Sequence, residues 1–248
     1  KETDISYEKK YLIEKGIVPL LLTTADGEEL SDHALNVDIA IRSHHLTQKT
    51  EDLITTPRTL AFDIEVYNKR RYPDDTIDPI IMISFAGDNG FRKVITWKQF
   101  PKPKKYIEFV KNEENLLNRF TEIVKEYQPD YLVGYFSDGF DLPYIKSRAQ
   151  KNNVSLAIGL DNSQLTVKRR GENMTAKTTG IAHIDIFKFI KRVMRNTLDI
   201  DDYDLDTVAT ELLGTGKTKI LIDQLHHAWD HDANRLKDYC DYNLNDAE

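Results

Sequence analysis

The chain has 248 residues, a formal net charge of -7 and one cysteine, Cys240, enough for one large α/β domain or a domain with a smaller neighbour. A single cysteine excludes a disulfide framework and a cysteine-rich zinc site, so any metal must be held by oxygen or imidazole, and a reducing, cytoplasmic setting is expected. The acidic balance excludes a surface that grips nucleic acid all over, though not a local groove, and the longest apolar runs, IVPLLL and IIMISFA, fall far short of the roughly 20 residues of a membrane span.

In chain order, YEKKYLIEKG reads as a short helix closed by Gly16, and IVPLLLTT followed by ADGEE as a strand and a turn. The polar run RSHHLTQKTEDLITTP reads as a linker, which makes residues 1–55 part of one domain and residues 56–248 another. From Thr59 the signals alternate. TLAFDIEVY is a strand, PIIMISFAGDNGFRKVITW a hairpin turning at GDNG, NEENLLNRFTEIVKEY an amphipathic helix, YLVGYF a strand and DLPYIKSRAQKNN a helix. LTVKRRGENMTAKTTG is a hairpin; AHIDIFKFIKRVM follows it, then the helices LDTVATELLG and ANRLKDYCDYNLNDAE. This order predicts an α/β fold, a mixed sheet with helices on both faces. Lys1 opens without a signal-peptide pattern and the last helix runs to Glu248 without a cap, as expected of a segment from a longer protein.

Three places carry acids in suggestive positions. In LAFDIEVY, strand alternation puts Leu60, Phe62, Ile64 and Val66 on one face and Ala61, Asp63, Glu65 and Tyr67 on the other, the two carboxylates about 7 Å apart along the chain. On an edge strand they would face solvent; on a central strand they would demand a proton, a base or a cation. In YFSDGFD, Asp138 reads as the N-cap of the next helix and Asp141 as its N3 acid, with Pro143 tolerated in the first turn. In the last helix Tyr242 and Asp246, four apart, share a face beside an apolar stripe of Leu236, Cys240, Leu244 and Ala247. The plain reading there is a surface tyrosine and a surface acid.

The order D-x-E on the first strand, an acid at a strand-to-helix turn and Y-x-x-x-D on a late helix resembles the three motifs of four-acid, tyrosine-type 3′→5′ exonucleases. More closely, DISYEKKYLIEKGIVP, LAFDIEVY, PIIMISFA with VITW, QPDYLVGYFSDGFDLPYI, the hairpin leading into HIDIF, and YNLNDAE are similar to the proofreading domain of archaeal-type family B DNA polymerases. The resemblance covers nearly the whole chain. It implies a ribonuclease-H-like fold, two-metal hydrolysis of a DNA 3′ end, and as partners a single-stranded DNA 3′ end, the palm, fingers and thumb of the same polymerase and, through the full-length protein, a sliding clamp.

By that resemblance Asp63, Glu65, Asp141 and Asp246 hold two divalent ions, Mg²⁺ or Mn²⁺, Asp63 bridging them, while Tyr242 orients the attacking water as a hydrogen-bond donor. Phosphodiester cleavage needs an activated water and a stabilised leaving oxygen, which two ions about 4 Å apart supply, and hard cations take oxygen ligands. One position departs from the family. Phe136 stands where an Asn is usual, which removes a hydrogen-bonding group near the terminal nucleotide but no metal ligand. It predicts weaker substrate positioning, offset if Phe136 stacks on a base. The rival is a catalytically weak or inactive DNA-binding or scaffolding module, suggested by Phe136 alone. Lys168, Arg169 and Arg170 fall in the hairpin that the family uses to pass a strand between sites, and are candidate phosphate contacts.

Other patterns carry less. GTGKTK lacks the earlier glycine of a phosphate loop, Glu211 standing there, and follows a helix, so Gly214 reads as its C-cap. His227 and His231 have metal spacing but no third ligand in a recognisable motif, and His183 and Asp185 read as structural.

Overall fold

A computed structural model describes residues 5–248 apart from 32, 54, 71, 172, 215–221 and the side chain of Arg170. The chain divides into two compact units, Lys1–Pro57 with Leu160–Asn162, and Arg58–Gly159 with Ser163–Glu248.

In the first unit, helix α1 (Tyr7–Lys15) starts on the Ser6 side chain and ends at Gly16, whose φ of 62° is the left-handed conformation that closes helices. The next segment departs from the sequence reading. Leu20 has a φ of 72°, so IVPLLL turns just after Pro19 instead of extending. The strand is β1 (Thr23–Glu29), which takes in ADGEE, and it pairs antiparallel with β2 (Ile41–Gln48). What reads as a linker therefore begins as a strand. Both strands are largely exposed, so no buried face left its period in the sequence.

The second unit is built on a six-stranded mixed sheet. Its strands are β3 (Thr59–Val66), β4 (Ile80–Gly87), β5 (Arg92–Thr96), β6 (Ile107–Phe109), β7 (Tyr131–Gly134) and β10 (Ala182–Asp185), in the order β10-β7-β3-β4-β5-β6. β8 (Thr166–Arg170) and β9 (Asn173–Lys177) form a separate hairpin. β3 is thus interior, antiparallel to β4 and parallel to β7, and the edge-strand reading of its acids is excluded. β4 is buried from Ile80 to Phe85, as a strand covered on both faces must be.

One face packs Phe62, Ile83 and Phe85 against Leu117 and Phe120 of α2 (Glu113–Tyr127) and Leu142 and Ile145 of α3 (Asp141–Lys151). The other packs Ile81, Met82 and Val94 against Leu225 and Trp229 of α6 (Leu225–His231) and Leu236, Tyr239, Cys240 and Leu244 of α7 (Leu236–Ala247). Two short elements come between: α4 (Ile186–Phe189), which runs on into a π-helical turn to Met194, and α5 (Leu205–Leu213), closed by Gly214 at a φ of 67°. Most of the GTGKTK stretch lies outside the described residues. Among the described residues no helix is long and apolar enough to cross a membrane.

Candidate active site

Strand β3 carries Asp63 and Glu65, and a bulge falls where they sit. Glu65 opposes Met82 and Val66 opposes Ile80, leaving Ile81 as the extra residue of β4. Bulges re-aim side chains and gather beside active sites. Helix α7 crosses this part of the sheet and delivers Asp246. Ligand oxygens of Asp63, Glu65 and Asp246 all lie within 4.8 Å of one another, and among the described residues they are the one cluster of three or more such groups.

Three carboxylates this close repel one another unless a proton or cation intervenes. The donor set is all oxygen, as Mg²⁺ and Mn²⁺ prefer. Cys240 is fully buried and burial pushes its thiol up from the usual range, so no thiolate competes. The residues present fit a hard divalent cation.

Asp141 lies at the start of α3, 3% exposed. β7 pairs with β3 only as far as Ala61, and beyond that point the Asp141 carboxylate takes a hydrogen bond from the backbone N–H of Ile64, between Asp63 and Glu65. Burial pushes the Asp141 carboxyl up to about 7, opposed by its own amide and that of Ile64 and reinforced by the charge of Asp185. Asp141 is not one of the three grouped acids. Tyr242, one helical turn before Asp246, is half-buried and lines a cleft with Arg92, Tyr106 and Asp241.

The turn before α3 corrects the sequence reading. The helix starts at Asp141 itself, and Phe140 before it makes no side-chain cap bond. Asp138 is not the cap, because the turn is already closed by backbone: Gly139 and Phe140 donate to the Phe136 carbonyl and Leu142 to that of Ser137. Asp138 instead lies 3.3 Å from Nδ1 of His183 and 2.5 Å from Nζ of Lys188, and accepts the Ala176 N–H. His183 and Asp185 both hydrogen-bond to this turn. His183 Nε2 lies 2.9 Å from Ser137 Oγ, and Asp185 accepts the amides of Phe136 and Asp138 at 3.1 Å each.

Phe136 is 45% exposed, at a φ of 58°. A positive φ is strained for a bulky residue and tolerated by Asn. Its ring meets Phe187 edge to face at 5.0 Å. Gly139 leaves the space the ring fills, since a Cβ there would lie 2.4 Å from it. Lys168 and Arg169 are exposed on β8, with Arg170 after them in the strand. His227 and His231 are exposed neighbours on α6.

One residue beside the site escaped sequence reading. Asn243 is fully buried on α7, and its Nδ2 donates to Asp63 Oδ2 at 2.7 Å. Its signal was a polar residue on the buried side of the helix, among Cys240, Leu244 and Ala247.

A doubly covered mixed sheet with clustered acids on its central strand is the ribonuclease-H-like nuclease architecture. The family model for DNA polymerase family B, exonuclease domain, matches residues 2–208, and the chain belongs to that family. Relatives match the whole chain, including α7. It is 34% identical over 247 residues to a DNA polymerase of Methanocaldococcus jannaschii, covering 100% of this chain and 13% of that one, and 31% identical to DNA polymerase 1 of Pyrococcus abyssi, covering 100% and 27%. A solved family B DNA polymerase from the hyperthermophilic archaeon Pyrobaculum calidifontis superposes with a TM-score of 0.78 at 26% identity, over 99% of this chain and 30% of that one. The chain therefore spans a third or less of the relatives it matches.

Proposed function

We propose that this chain is the 3′→5′ exonuclease unit of a family B DNA polymerase, hydrolysing the terminal phosphodiester of a single-stranded DNA 3′ end. The observation that carries the reading is the convergence of Asp63, Glu65 and Asp246, from opposite ends of the domain, within 4.8 Å. Divalent cations bound there, two by the family pattern, would supply charge neutralisation at the scissile phosphate and an activated water. Asp63, Glu65 and Asp246 would hold that charge, and Asp141 would help complete the second cation's shell. Tyr242 holds a water by donating from its Oη.

The surrounding residues act on the strand. Phe136, exposed beside the site, stands where the family usually has Asn and positions the terminal nucleotide less firmly than that Asn would. Lys168, Arg169 and Arg170 offer charge to phosphates. Their hairpin is tied to the turn of Phe136, since the Ala176 amide and Lys188 both bind Asp138 and Lys188 also donates to the Met174 carbonyl. The remaining polymerase domains, and a sliding clamp through them, are the partners this reading implies.

The test is digestion of a 5′-labelled single-stranded oligonucleotide with Mg²⁺ or Mn²⁺. A ladder shortened from the 3′ end is expected, absent with EDTA and with Asp63→Ala. If the folded chain gives no ladder under either metal, the reading is wrong.

A further inference from the structure

We infer that Asn243 is a positioning residue for the metal site, one that fixes the orientation of the Asp63 carboxylate. The inference rests on the metal-site reading above and goes beyond it, to a residue at a position that the Y-x-x-x-D motif leaves unspecified.

Two bonds meet at Asn243. Its side-chain Nδ2 donates to Asp63 Oδ2 at 2.7 Å. Its backbone carbonyl accepts from Ser84 Oγ, also at 2.7 Å, and Ser84 is the residue of β4 directly opposite Asp63 in the sheet register. Helix α7 is thereby keyed to one row of the sheet, the row that carries Asp63, and the same helix brings Asp246 three residues later.

The amide orientation follows from chemistry. A carboxylate only accepts, so the nitrogen must face Asp63 and the oxygen must point away. That oxygen, Oδ1, is buried with no hydrogen-bond partner among the described residues. A buried orphan acceptor is uncommon and asks for a reason. Leu or Ala would suit this buried face better if packing were the whole task; an amide is explained by the donor it turns to Asp63.

The donor is also of the right kind. Lys or Arg in its place would neutralise Asp63 and compete with a cation, and a hydroxyl is shorter. A neutral N–H fixes one oxygen while leaving the carboxylate its full charge for metal. Groups that hydrogen-bond to metal ligands commonly change metal affinity 10- to 100-fold when removed.

The experiment titrates Mn²⁺ into the intact chain, followed by calorimetry and by the loss of the free Mn²⁺ paramagnetic resonance signal, for the unsubstituted chain, Asn243→Leu and Asp63→Ala. The unsubstituted chain is expected to bind. Asn243→Leu should bind about 10- to 100-fold more weakly while its unfolding midpoint in EDTA stays level or rises, because a buried orphan acceptor is gone. A residue with only a packing role would show the reverse, unchanged affinity and a lower midpoint, and that result overturns the inference. Should Asn243→Leu not fold, Asn243→Ala is read by the same affinity criterion. Failure of the unsubstituted chain to bind Mn²⁺ would instead overturn the metal-site reading itself.

Discussion

Asp138 and His183 face each other across 3.3 Å in the buried turn before α3, and this contact, rather than a helix cap, is what the first acid of YFSDGFD is for. Burial alone would raise the Asp138 carboxyl. The bonds from His183, Lys188 and the Ala176 amide outweigh it and hold the carboxyl down at about 2.

An acid whose pKa is lower folded than unfolded stabilises above its unfolded value, near 3.9, and that contribution is lost as pH falls toward the folded one. The chain should therefore lose stability between about pH 4 and pH 2 through Asp138. Asp138→Asn should remove this part of the acid sensitivity and lower stability at pH 7 by about 1–3 kcal/mol, as expected when buried partners lose their acceptor. Urea unfolding across that range checks it; curves that stay parallel for the two proteins would refute the role.

Phe136 and Gly139 should be coupled. A Cβ on Gly139 would lie 2.4 Å from the Phe136 ring, so Gly139→Ala should push the ring off Phe187, at about 0.5–1.5 kcal/mol for the lost aromatic pair. In a Phe136→Asn background the same change should cost almost nothing, and a double-mutant cycle in stability reads the difference. Asn accepts the positive φ more readily than Phe and restores the polar group usual at this position, so Phe136→Asn alone should digest single-stranded DNA faster. A variant that digests no faster removes the account of weakened positioning.

Legibility followed burial. The alternation of β3 and the apolar run of β4 were plain because both strands sit inside a covered sheet, and the glycine caps of α1 and α5 were plain because a left-handed residue leaves a sequence mark. β1 was placed too early and β2 was read as linker because their faces are exposed and unpatterned. Asp63, Glu65 and Asp246 were found as a motif, but that they meet depends on α7 crossing the bulge beside Ile81, which is tertiary. Asp138 was misread because local capping chemistry and a distant Lys–His partnership ask for the same side chain, and only the fold shows which one has it.

Arg148 and Glu113 join α3 to the start of α2 by a buried fork. Arg148 Nε and Nη2 reach the two carboxylate oxygens at 2.7 and 2.6 Å, and Glu113 also accepts the Ile80 N–H and Asn152 Nδ2. Breaking such a pair from one side leaves a buried charge, which costs about 3–5 kcal/mol. Arg148→Met should therefore be among the most destabilising single changes, whereas a change at Lys10, whose pair with Glu14 is exposed, should fall within about 0.5 kcal/mol. Equal effects in chemical denaturation would contradict the assignment.

Asp246 should show opposite effects with and without metal. In EDTA the three clustered carboxylates repel one another, so Asp246→Asn, which removes one charge, should hold or raise the unfolding midpoint. With Mn²⁺ at about 100 times its dissociation constant, the unsubstituted chain should gain about 2.7 kcal/mol by mass action, on the order of 5–10 °C for a domain of this size. Asp246→Asn should lose most of that gain. A Mn²⁺-induced shift equal in the two proteins, measured by differential scanning calorimetry, would mean that the cation binds elsewhere and that Asp246 is a surface acid after all.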